Sequence, residues 1–288
     1  MSTLPDVWGD IEDDDVISVH HYYAYSPPGV GEVFAVEGSA FIGEVDETTV
    51  MKYPLEPGGD TSRLQTEKKL LEIVGPHPRI IGLKGSSDTG LYLERAINGT
   101  LADYILDPPA GTPLPSTKQR VAWCREATVA VVRVHGQSVI HCDIQASNLL
   151  LDEGLHIKLA DFQGRHIADD GTVLLDGWRG EPCRYFCPRD DPCDADVKTD
   201  VFALRCNIYL IMTGHSIFPD IDHGPNEWHE VEERFKKQRF PQDEHACSAI
   251  TRKCWLKEYE SAEQLLRDIE VVEKGLTADG DAQVSGRV

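Results

Sequence analysis

Hydrophobic periodicity changes once along this chain, near Glu94, and that change restricts the folds open to it more than any other feature. Before it, the chain is β-rich through Val33 to Val36, Phe41 to Val45 and, after a turn at Asp46 and Glu47, Thr49 to Tyr53. Such short runs parted by turn residues predict consecutive antiparallel strands. Gly58 and Gly59 close the segment. Asp60, Thr61 or Ser62 can then cap a helix that carries Leu64, Leu70, Leu71 and Ile73 and stops at Gly75, Pro76 and Pro78. Ile80–Leu83 and Leu91–Leu93 read as two further strands. Beyond Glu94 the spacing becomes helical: Arg120–Val134 behind a Ser116 or Thr117 cap, then Asp200–Met212, Glu227–Lys237, Ala246–Trp255 and Ala262–Glu273. The expected fold is α+β with two lobes, an antiparallel sheet with one main helix over 20–94 and a mainly α lobe over 98–275. An acidic segment, 1–19, and a disordered tail, 276–288, would flank it.

The 288 residues and 41% hydrophobic content suffice for such a unit. Lys and Arg number 28 against 49 Asp and Glu, and the net charge of −21 argues against nucleic-acid polymers and anionic bilayers as partners. The acidic start lacks the basic and apolar regions of a secretory leader, and no apolar run approaches the roughly 20 residues of a membrane span. The expectation is an intracellular protein, cytoplasmic or nuclear, with its eight cysteines reduced. Cys183, Cys187 and Cys193 match no compact zinc spacing. Oligomeric state leaves no mark.

Two short stretches carry the chemistry. Ile-His-Cys-Asp-Ile-Gln-Ala-Ser-Asn runs from Ile140 to Asn148, and Ala-Asp-Phe-Gln from Ala160 to Gln163. Asp143 can serve as a base, while Asn148 and Asp161 offer oxygen ligands to Mg²⁺, the set that phosphoryl transfer needs. A polar loop capping two strands is the bland alternative. Strand alternation puts Val50 and Lys52 on one face, so the ammonium can reach into a cleft, and Glu67 on the following helix is its natural partner.

With these residues in order, the chain resembles the protein kinase family over roughly Val36 to Glu270, with a flavour similar to divergent kinase-like proteins of fungi. Val50–Lys52 resembles the Val-Ala-Ile-Lys strand, Glu67 the glutamate of helix αC, His77-Pro78 the dipeptide after it, and 94–97 the hinge that binds adenine. His141-Cys142-Asp143 stands for His-Arg-Asp, Asp161-Phe162-Gln163 for Asp-Phe-Gly, Tyr185 to Arg189 for the Ala-Pro-Glu region, and Asp200 for the start of helix αF. The resemblance implies ATP and Mg²⁺ as cofactors and a protein substrate. Asp143 and Lys52 would be catalytic, with Asn148 and Asp161 on the metal. Gly38, Gly43, Val45, Val50, Lys52, Glu67, Glu94, Ala96 and Leu150 would contact the nucleotide. It also implies a spine of Leu71, Leu83, His141 and Phe162, and an Asp200 that accepts catalytic-loop N–H groups.

Several positions depart from the family. Ala40 replaces the second glycine of the phosphate loop, and Cys142 removes the arginine that pairs with a phosphorylated activation loop. Thr172 is the one Ser or Thr between Asp161 and Arg189, and Pro182 stands where Ser/Thr kinases place a threonine. Gln145 and Ser147 leave the catalytic loop without the cation that helps neutralise the transferring phosphoryl group. Gln163 replaces a glycine, with Gly164 beside it as an alternative flexible joint. Arg189 replaces the Glu of Ala-Pro-Glu and is expected to bridge to Glu258 or Glu260 with reversed polarity. An active Ser/Thr kinase is the first reading and a nucleotide-binding or scaffolding pseudokinase the second. Phosphorylation of a small molecule is the third.

Overall fold

The computed structural model describes residues 25–178 and 180–285, without the side chains of Glu37 and 278–285; the acidic segment expected over 1–19 lies outside them. Strands β1 (Val33–Glu37), β2 (Ala40–Asp46) and β3 (Thr49–Pro54) are followed by helix α1 (Ser62–Val74), then β4 (Leu83–Ser87) and β5 (Gly90–Glu94). They form one antiparallel sheet in the order β1-β2-β3-β5-β4. Every residue of β3 is buried, because its pleat packs two ways. Met51 and Tyr53 join Phe41 in an outer cluster, and Val50 joins Ile42, Leu64 and Leu71 in the main core.

Ile80–Leu83 does not form the expected strand. Ile81 N–H donates to Leu159 O at 2.9 Å, and Ile80 bridges Leu159, so this run ties the sheet lobe to the helical lobe. Pairing within the sheet begins at Leu83 and continues to Ser87.

The second lobe contains α2 (Leu101–Leu106), α3 (Thr117–His135), α4 (Val197–Thr213), α5 (Glu227–Lys236), α6 (Ser248–Trp255) and α7 (Ala262–Ser285). Helix α3 is capped by Ser116, whose hydroxyl accepts from Gln119 N–H at 3.2 Å. Helix α4 starts before the expected Asp200, because Asp196 and Thr199 form a reciprocal capping box. From Thr199 to Ile211 α4 is buried all round, as befits a helix at the centre of a lobe. The tail expected from 276 instead prolongs α7 as far as Ser285. Among the described residues no helix is long and apolar enough to cross a membrane.

Five short strands carry the loops that matter: β6 (Val139–Ile140), β7 (Leu149–Leu151), β8 (Ile157–Leu159), β9 (Arg165–Ile167) and β10 (Val173–Asp176). β7 pairs with β8, and β9 pairs with both β6 and β10. Gly164 is required by this arrangement. A Cβ there would stand 1.9 Å from Ile140 O, so Gly164 admits a close backbone approach.

Candidate active site

On β3, Lys52 points into the cleft and is only 5% exposed. Its ammonium lies 2.9 Å from Glu67 of α1 and 2.5 Å from Asp161. A buried ammonium persists only with such partners. Burial favours the neutral form of Asp161, yet Lys52 and the Gln163 amide outweigh it and hold this carboxyl below its ordinary value. Asp161 also adopts a left-handed φ of 59°, which costs about 1–2 kcal/mol in a residue other than glycine. The backbone spends that energy where Lys52 and Gln163 fix the carboxylate.

The loop between β6 and β7 is held from below. Asp200 of α4 accepts His141 N–H at 2.8 Å and Cys142 N–H at 3.0 Å, and stands 2.9 Å from His135 Nε2. This is the expected anchoring, and it stabilises a Cys142 whose φ of 63° is also left-handed. The His141 ring packs edge-on against Phe162 at 4.8 Å, and its Nε2 lies 3.1 Å from Ala160 O. Burial holds this imidazole below its ordinary pKa, so the neutral ring donates to that carbonyl. Leu71 and Phe162 belong to the main core, and Leu83 packs against it.

Asp143 is 4% exposed. Its Oδ1 accepts from the Gln145 amide at 2.8 Å, and its Oδ2 accepts from Asn148 Nδ2 at 2.9 Å. Asn148 Nδ2 also donates to Asp143 O at 2.9 Å, which leaves the amide oxygen to face a cation. Burial, followed by the charge of Asp161, pushes Asp143 up to about 7 despite both amides. A carboxyl poised there can exchange a proton near neutral pH. Asp161 and Asn148 line the same cavity, and a carboxylate with an amide oxygen is a hard-oxygen donor set that suits Mg²⁺.

Two adjoining cavities share Lys52, Glu67 and Asp161. The first, of about 410 Å³, is walled by Ala35, Ile42, Val50, Leu93, Ala96 and Leu150, an apolar slot of the size that a purine ring needs. Glu94 borders it, but its carboxylate accepts from Gly82 N–H at 3.0 Å and pairs with Lys158 at 2.8 Å. The second, of about 430 Å³, runs from Gly38, Ser39 and Ala40 down to Asp143 and Asn148.

Gly43 and Val45 line neither cavity. Opposite Lys52 in the β2–β3 register stands Ile42, which therefore shares its face, whereas Gly43 stands opposite Met51 and faces outward. There a Cβ on Gly43 would meet Val30 Cγ1 at 2.4 Å, and Val45 packs by the Phe41, Met51 and Tyr53 cluster. Gly38-Ser39 forms a two-residue hairpin turn between β1 and β2, so Ala40 already begins β2. Ile42 could have been found by counting across the β2–β3 hairpin from Lys52. Arg63 and Trp178, which also line the second cavity, carry no sequence signal of their own.

Arg189 does not reach Glu258 or Glu260. Its guanidinium pairs with Glu181 in its own segment, and Glu260 pairs with Lys198 at 2.7 Å. The matching position on the far side is Tyr259, whose hydroxyl donates to Asp268. Glu181 is 7% exposed, and burial raises its carboxyl to about 7 against the pull of Arg189.

In sequence the chain is similar to several protein kinases. The chain is 27% identical over 189 residues to the dual specificity protein kinase shkA of Dictyostelium discoideum, covering 62% of this chain and 35% of that one. It is 28% identical over 170 residues to the serine/threonine-protein kinase kin-29 of Caenorhabditis elegans, with coverages of 54% and 19%. To the sucrose non-fermenting protein kinase 1 of Fusarium virguliforme it is 31% identical over 170 residues, with coverages of 57% and 23%. The matched part is thus about a third or less of each relative's length. The family profile for the protein kinase domain matches residues 49–270, well over half of the sequence. On that match, and with its two-lobed fold, the chain belongs to the protein kinase domain family.

Proposed function

We propose that this domain transfers the γ-phosphoryl group of ATP to a Ser or Thr hydroxyl of a protein substrate. The observation that carries the reading is the assembled Lys52–Glu67–Asp161 cluster facing Asp143 and Asn148 across one continuous cleft. Lys52 would hold the α and β phosphates, Asn148 and Asp161 would hold Mg²⁺, and Asp143 would orient the hydroxyl and take its proton. Bound Mg²⁺ would supply charge neutralisation between the phosphates. Gly38, Val50, Ala96 and Leu150 would contact the nucleotide, with Ile42 in place of Gly43 and Val45. Ser/Thr preference is taken from relatives such as the one named a serine/threonine-protein kinase.

A second reading, a nucleotide-binding scaffold with little catalysis, is favoured by one observation. The neutral amides of Gln145 and Gln163 each occupy an oxygen of Asp143 and Asp161, where catalysis prefers a cation and a free ligand position. A Mg·ATP turnover assay on the wild type beside Lys52→Met and Asp143→Asn separates the two. Transfer predicts turnover that falls at least about 10²-fold in either variant. Activity unchanged in Asp143→Asn rejects the mechanism, and Mg·ATP-dependent thermal stabilisation without turnover supports the scaffold.

A further inference from the structure

The charge that Gln145 fails to supply has a candidate source on α1. A transferring phosphoryl group spreads negative charge over three oxygens, and a donor that neutralises it is among the largest contributions to such catalysis. Lys52 is committed to Glu67 and Asp161 at the inner end of the second cavity. The other cation among the described residues that line this cavity is Arg63.

Arg63 precedes Glu67 by four residues, so both side chains leave the same face of α1. A Cβ built on Gly38 would stand 4.0 Å from Arg63 Nη1, which puts the guanidinium close under the hairpin turn that borders the cavity. One face of the guanidinium is stacked on the Trp178 indole, with Cζ 4.1 Å from the ring centroid. That contact restrains a long side chain and uses none of its N–H donors. Among the described residues the guanidinium makes no ion pair. Half-buried, it lines the cavity that also reaches Asp143, Asn148 and Ser39, and its planar donor fork is of the kind that grips a terminal phosphate.

We propose that Arg63, held against Trp178, binds the γ-phosphate of ATP and replaces the missing catalytic-loop cation. The proposal rests on the phosphoryl-transfer reading for its purpose, but its contact can be tested without turnover. The affinities of wild type, Arg63→Met and Arg63→Lys are measured for Mg·ATP and for Mg·ADP, with thermal unfolding as the control for folding. Arg63→Met is expected to weaken Mg·ATP about 10- to 100-fold, the range of a charge-assisted hydrogen bond, and to leave Mg·ADP little changed. Arg63→Lys should lie between.

Were Arg63 only a strut for Trp178, ATP and ADP would weaken together. That result, or no change in either, overturns the proposal. Selective loss of ATP in a protein without turnover would reject the transfer reading and keep the Arg63 contact. Turnover in a protein whose ATP and ADP affinities fall equally, or not at all, in Arg63→Met would do the opposite.

Discussion

Asp143 should make the fold less stable as pH rises, and Asp143→Asn should remove that dependence. Its carboxyl ionises near 3.8 in an unfolded chain and at about 7 in the folded one, because burial and the Asp161 charge both oppose the anion. A raised carboxyl gives stability that is complete below the unfolded value and is lost as pH climbs through the folded one. The loss therefore accumulates between about pH 4 and pH 7 and is level above. At about 1.36 kcal/mol per unit, the penalty is about 2 kcal/mol at pH 5 and about 4 kcal/mol at pH 8.

Asparagine is isosteric but brings an offset. Gln145 and Asn148 both donate to Asp143, so the new amide leaves one of them facing an N–H group, at a cost of about 1–3 kcal/mol at every pH. The informative quantity is consequently the difference between variant and wild type as pH changes. Urea unfolding at pH 5, 6, 7 and 8 without nucleotide should show Asp143→Asn gaining about 2–3 kcal/mol on the wild type across that range. A difference that stays flat would mean that Asp143 ionises normally in the fold. Neither burial nor the Asp161 charge would then raise its carboxyl.

Arg189→Ala and Glu181→Gln should each destabilise the fold by about 3 kcal/mol, the cost of stranding one member of a buried pair. The double variant should lose clearly less than the sum, while Glu258→Ala should be additive with Arg189→Ala; thermal or urea unfolding checks both. In nucleotide titrations Ile42→Ala should weaken binding several-fold, because Ile42 walls the apolar cavity. Val45→Ala should leave affinity within about twofold, and the reverse order would put Val45 and not Ile42 against the nucleotide.

The two-lobed plan was legible because its causes are local. Alternation at Thr49–Tyr53 and helical spacing at Arg120–Val134 both reappear as elements within a few residues of their expected ends. Lys52 with Glu67 was likewise readable from strand and helix logic, and Asp200 beneath the β6–β7 loop from the family resemblance. Failures arose where a partner from elsewhere in the chain decided the outcome. Ile81 spends its N–H on Leu159, α4 begins at a capping box formed by Asp196 and Thr199, and Arg189 finds Glu181 nearer than Glu258 or Glu260. Gly43 and Val45 failed for a simpler reason. One residue of register moves a side chain through the sheet, and the β2–β3 pairing, closed by the turn at Glu47-Thr48, sets that register.

By itself the sequence determined the family, the order of the elements and the acids, amides and lysine that a phosphoryl-transfer site requires, since these depend on residue type and spacing. Tertiary structure decided how those groups are charged and which of them meet. Burial raised Asp143 to about 7 while Lys52 kept Asp161 ionised, although both are aspartates in neighbouring loops. It also brought Arg63 from α1 and Trp178 from the segment after β10 to the rim of one cavity, 115 positions apart in the chain. No local pattern encodes that meeting, because it is produced by the docking of the two lobes around α1.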